Sequence, residues 1–124
     1  MKFAVITLPY SMDTDAGTAA GPKALLQAGL ADWLREQGHE VAGPFDVKLT
    51  PSEQSAYGAW NKIGLANAHL ARLVSEAAKA QAFPLLLESN CYTASVPWRG
   101  CIREVRRLYP KAFYERVTRL VTPA

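Results

Sequence analysis

Three short apolar runs, bounded by turn residues and separated by stretches of helical periodicity, constrain this chain more than any other feature. Residues 2–8 carry β-branched Val5, Ile6 and Thr7 and stop at Pro9, the pattern of a buried strand. A second run, His39 to Val47, reads as a short strand bent or interrupted by Gly43-Pro44. Phe83-Pro84-Leu85-Leu86-Leu87 is the third, a strand despite leucine's indifferent β-propensity. Between the first two runs, Gly21-Pro22 opens a helix, because proline's missing N–H has no partner in a first turn anyway. Leu25, Leu26, Gly29, Leu30, Trp33 and Leu34 recur at helical spacing and predict one apolar face, with Asp32 and Arg35 paired outside it. Gly38 then ends the helix as a left-handed cap.

Residues 49–58 read as loop and residues 59–81 as a long helix, with Ile63, Leu65, Leu70, Leu73, Val74 and Ala77 on its apolar side. Strand, helix, strand, helix, strand with long crossovers predicts an α/β fold: a three-layer parallel sheet with flanking helices. Ligands in such sheets bind beyond the carboxyl ends of strands, so residues 9–20 and 88–94 are the candidate binding loops. A sheet of three strands should also expose edge and apolar surface that invite self-association.

The 124 residues suffice for one domain with a real core, and 49% hydrophobic with 20% charged residues is globular composition. No apolar run reaches the length of a membrane span, and no small-residue cleavage site follows the opening run, so neither a membrane helix nor a signal peptide is expected. Two cysteines, Cys91 and Cys101, make no secreted framework, and a reduced cytoplasmic setting is the default.

Charge is distributed unevenly. Residues 1–95 carry seven Lys/Arg against nine Asp/Glu, net −2, whereas residues 96–124 carry seven against two, net +5. The basic segment uses arginine almost exclusively, and Pro110 divides it into two short candidate helices.

Three pieces in order resemble the ureohydrolase superfamily of arginase, agmatinase and formimidoylglutamase. The first is the opening strand running into Pro9 and a Gly-containing loop. The second runs from Gly21-Pro22-Lys23-Ala24-Leu25-Leu26 through Ala28-Gly29-Leu30 and Leu34 to Gly38-His39-Glu40-Val41, similar to the family's GP…L…AGL…L…GH-[DE]-V segment. The third is Phe83-Pro84-Leu85-Leu86-Leu87-Glu88-Ser89-Asn90-Cys91, where the family has FPLVLGGDHS, or GGNC in divergent members. The likeness covers residues 1–95 and implies the N-terminal third of an arginase-like fold; residues 96–124 form an Arg-rich tail that is not family-like. It implies descent from Mn²⁺-dependent hydrolases of guanidino and amidino C–N bonds, in which a metal-bridging hydroxide attacks the central carbon.

The chain departs from that pattern where the chemistry sits. Cys91 stands at the position of the family's His ligand, Asn90 at that of its Asp, and Glu88-Ser89 replaces Gly-Gly. No Asp-x-His-x-Asp occurs, and Asp13-Thr14-Asp15 matches Asp-x-Asp in spelling only, being in the first loop. No aspartate follows Asp46 and no histidine follows His69. Two Mn²⁺ ions need several hard oxygen ligands plus imidazole, so the expectation is a truncated relative, inactive alone and binding no manganese by itself.

Cys91 is the one candidate metal position, with a buried inert cysteine as the plainer reading and no base poised for a nucleophile. Cys91, Cys101, His39 and His69 lack zinc spacing. His39 reads as structural and His69 as half-exposed on its helix. Glu88 and Asn90, or Asp13, Thr14, Asp15 and Thr18, could touch a substrate, although polar loop filler explains them as well. No phosphate-cradling glycine loop is present. The tail allows three readings: a solvated face, contact with nucleic acid or another acidic partner, or sequence joined by a change of reading frame. A nucleic-acid partner is not expected. The partners expected are a second copy of the chain or a separately encoded C-terminal part. The alternative function is a non-enzymatic interaction module or one half of a split enzyme.

Overall fold

The computed structural model describes residues 1–9 and 19–89. Its elements are β1 (Lys2–Leu8), α1 (Gly21–Gln27), α2 (Leu30–Glu36), β2 (Glu40–Asp46), α3 (Pro51–Gln54), α4 (Ala59–Lys79) and β3 (Phe83–Glu88). The strands form one parallel sheet in the order β2-β1-β3. The expected α/β architecture, a parallel sheet between helical layers, is therefore present. The Arg-rich tail, Cys91, Asn90 and most of the first loop lie outside the described residues.

The strand order assigns the layers. The chain leaves β1, crosses to β2 on one side, then returns past β1 to place β3 on the other. Right-handed crossovers in opposite directions put their helices on opposite faces. Accordingly, Ile6 and Leu8 of β1 pack with Ala66, Leu70 and Val74 of α4, joined by Val47, while Leu49, Leu73 and Leu86 border the cluster. A smaller cluster of Ala4, Ala77 and Ala82 continues this face toward the strands' amino ends. The period of two then directs Phe3, Val5 and Thr7 to the other face, where α1 packs on β1 and β3, and α2 on β2. As the central strand β1 is buried from Ala4 to Leu8, which explains its continuous apolar run. Removing Ile6, Leu8 and Leu70 from water contributes about 1.5–3 kcal/mol each, and all three are at most 1% exposed.

Two local expectations are corrected. The segment after Pro22 is two helices, because Gly29 at φ +92° interrupts them. The break resets the helical phase, so Leu25 and Trp33 are 50% and 55% exposed while Pro22 and Leu34 are buried. The stretch that reads as loop contains α3, started by a reciprocal capping box: Thr50 Oγ1 accepts from the Glu53 amide, and the Glu53 carboxylate accepts from the Thr50 amide.

β2 continues through Gly43-Pro44. Its register with β1 shifts between Ala4 and Ile6, and the Gly43–Pro44 peptide is cis. Gly43 sits at φ +93°, where an added Cβ would lie 2.6 Å from the Val5 carbonyl oxygen. Only glycine combines that backbone with that approach. Among the described residues, no helix is long and apolar enough to cross a membrane.

Candidate functional site

A reversal of crossover direction opens a crevice at the carboxyl ends of the two strands that flank it. Here those strands are β1 and β3. Their ends carry Leu8 and Pro9 on one side and Glu88 and Ser89 on the other, with Leu8 and Glu88 in direct register. Ser89 Oγ donates to the Leu8 carbonyl oxygen at 3.4 Å and holds the two ends together. The two candidate binding loops, residues 9–20 and 88–94, thus leave adjacent strands at the switch point. Periodicity locates both loops; their adjacency needs the strand order.

One strand away, Thr7 and Asp46 form a second polar pair. They are register partners across β1 and β2, and the buried Thr7 hydroxyl donates to the Asp46 carboxylate. Lys48 Nζ lies 3.8 Å from the other carboxylate oxygen, and the Val47 amide donates to the Thr7 carbonyl at 2.9 Å. Asp46 is therefore committed to a hydroxyl and an ammonium. Sequence reading misses this pair, since neither residue belongs to a motif and only the register brings them together.

The histidines are elsewhere. His39 packs edge-on against Phe3, centroids 5.2 Å apart, at the amino end of the sheet. Its Nδ1 is buried with no hydrogen-bond partner among the described residues. His69, on α4, has Nε2 at 2.8 and 3.0 Å from the two Glu53 carboxylate oxygens. An ionised carboxylate only accepts, so this nitrogen carries the proton. The backbone N–H of Thr50 and then the His69 side chain hold the Glu53 carboxyl below the usual carboxylate value. The pair fastens α3 to α4. Thr50-x-x-Glu53 is legible as a capping signature; its grip on His69 is not.

Asn67 is the remaining polar group of note. It is 3% exposed, and its Oδ1 has no hydrogen-bond partner among the described residues. It lies on the buried side of α4, next to Ala66 and one turn before Leu70.

The described residues do not fit a two-manganese centre. No group of three or more His, Cys, Asp or Glu residues gathers among them. The switch point contributes Glu88 and Ser89, Asp46 is engaged, and both imidazoles are remote. Cys91, the position matching the family's ligand, lies outside the described residues.

No protein-family model matches the sequence, and no curated protein matches it. Among solved structures, the fold matches that of arginase from Bacillus subtilis with a TM-score of 0.70 at 23% identity, covering 83% of this chain and 34% of that one. The chain spans about a third of the length of that arginase. Its parallel sheet and its helical layers are those of an arginase-like fold.

Proposed function

We propose that this chain is a member of the ureohydrolase superfamily, related to Mn²⁺-dependent hydrolases of guanidino and amidino C–N bonds, and that it does not hydrolyse such bonds by itself. The observation that carries this reading is the arginase-like fold over 83% of the chain, found for a sequence that places Gly21-Pro22, Ala28-Gly29-Leu30 and Gly38-His39-Glu40-Val41 in family order. Inactivity follows from chemistry. Turning water into a nucleophile at neutral pH and steadying a tetrahedral intermediate requires two metals in fixed geometry. Among the described residues Glu88 is the carboxylate at the switch point, Cys91 holds the one family ligand position, and the sequence has no Asp-x-His-x-Asp, so the donors of such a centre are not expected from this chain. Manganese is thus the metal of the family rather than of this chain alone.

A second reading, an interaction module or one half of a split enzyme, is favoured by the place of β3 at the end of the sheet among the described residues. A cytoplasmic setting accords with both. The test is direct: purify the chain, measure bound manganese, and assay urea and formamide release with arginine and agmatine. The expected result is a folded protein with no stoichiometric Mn²⁺ and no product. Two Mn²⁺ per chain with turnover would refute the proposal and return Cys91, Glu88 and the first loop as ligands.

A further inference from the structure

The segment between β2 and α4 is anchored at its two ends and by one polar tie between them. At the first end Val47 is buried in the main core, its amide donates to the Thr7 carbonyl at 2.9 Å, and Leu49 borders the same core. At the other end α4 begins after Gly58. In between, α3 is a single turn that buries no residue, and Tyr57 is 98% exposed. Most side-chain hydrogen bonds of the segment stay within it. Gln54 Nε2 donates to the Leu49 carbonyl at 3.1 Å, Ser55 Oγ donates to the Ser52 carbonyl at 2.7 Å, and the capping box joins Thr50 to Glu53. Among the described residues, the polar tie from α3 to the rest of the fold is Glu53, whose carboxylate oxygens accept from His69 Nε2 at 2.8 and 3.0 Å.

A lone helical turn does not persist without tertiary support, because its nucleus fixes several dihedrals for one hydrogen bond. Elements with few buried contacts open locally at a lower free energy than the whole fold. Loss of the Glu53–His69 tie therefore frees α3 and leaves Ile6, Leu8 and Leu70 packed as before. Gly58 supplies the pivot. Its φ is +89° and ψ 131°, and nothing lies within 4 Å of the place a Cβ would take.

We propose that residues 50–57 are a strap, closed on α4 by the Glu53–His69 pair and able to lift from it as a unit while the sheet stays folded. Acid is the trigger built into this tie. In the closed strap the Thr50 backbone N–H, and then the His69 side chain, hold the Glu53 carboxyl below the usual carboxylate value. Lifting the strap removes both partners. Closure is thus favoured in full above the ordinary carboxylate pKa and is lost as pH falls through the closed-state value. Of the charged groups on α4 and on the chain entering α3, His69 alone acts on this carboxylate. Lys48 is paired with Asp46 at 3.8 Å and Arg72 with Glu76 at 3.6 Å, while Lys62 and Lys79 stand toward the two ends of α4. This inference rests on the α3 segment alone and stands or falls separately from the ureohydrolase reading.

The test is amide hydrogen exchange on the full chain, followed by NMR, with circular dichroism to confirm folding. The strap is read at the Gln54 and Ala56 amides, which donate to the Thr50 and Glu53 carbonyls at 2.9 and 3.1 Å. The amides of β1 serve as the reference. His69→Ala is expected to lower strap protection about tenfold, the size set by one hydrogen bond, and to leave β1 unchanged. In the wild type, strap protection corrected for intrinsic exchange should fall below the ordinary carboxylate pKa, before that of β1, and this wild-type series decides the matter if His69→Ala fails to fold. Strap protection that His69→Ala leaves unaltered overturns the proposal. So does a loss shared equally by β1, which would make α3 part of one cooperative unit, or a wild-type strap that ignores acid until β1 unfolds.

Discussion

Gly29 and Gly43 offer a controlled comparison, because they share a backbone angle and differ in surroundings. Their φ values are +92° and +93°. Around Gly29 a new Cβ would meet nothing within 4 Å, whereas at Gly43 it would lie 2.6 Å from the Val5 carbonyl oxygen, 2.9 Å from the Phe45 nitrogen and 3.0 Å from Phe45 Cδ2. Alanine in the left-handed conformation of Gly29 costs about 1–2 kcal/mol, and the positive φ strains alanine at Gly43 as well. Alanine also narrows the unfolded ensemble by about 0.4–1 kcal/mol in its favour, again at both. The clash exists only at Gly43, and two of its contacts are backbone, so β1 and β2 must separate; overpacking of this sort costs about 1–3 kcal/mol. Gly43→Ala should therefore destabilise the fold by about 1–3 kcal/mol more than Gly29→Ala. Urea unfolding followed by circular dichroism measures both on one scale. Equal losses would show that β2 does not approach β1 closely at Val5, and the account of the bulge would fail.

Other outcomes follow from the core and from the α3–α4 latch. Leu70, with 0% exposure at the centre of the main cluster, should cost about 2–5 kcal/mol when replaced by alanine; a loss below that of an exposed site such as Leu25→Ala would place the core elsewhere. Glu53 has a lowered folded-state pKa, so its contribution is present above the ordinary carboxylate pKa and is lost as pH falls through the folded value. Acid titration should therefore destabilise the wild type more steeply than Glu53→Gln below the ordinary carboxylate pKa, and parallel curves would remove the latch.

Elements whose determinants lie close together in the chain are legible in the sequence. β1 ends at Pro9, α4 shows its apolar stripe from Ile63 to Ala77, and β3 stands out as an uncharged run. The break at Gly29 is not, since a glycine within a periodic segment is compatible with a continuous helix. The capping box of α3 is spelled out in Thr50-x-x-Glu53, but loop-like surroundings mask it. The pairs across the fold have no local signal. Thr7 and Asp46 are 39 residues apart and meet through register, and Glu53 and His69 meet because α3 folds back onto α4. Strand order decides the rest, for it places the ends of β1 and β3 side by side while Asp46 falls one strand away.

The switch point and one outer edge of the sheet, as far as the described residues go, belong to the same strand, β3, and this links them. Strands β1 and β3 flank the switch point, so groups that complete a site there must come from its own two loops or from whatever lies beyond β3. A parallel strand added there would bring its carboxyl end, and the loop following it, next to Glu88 and Ser89.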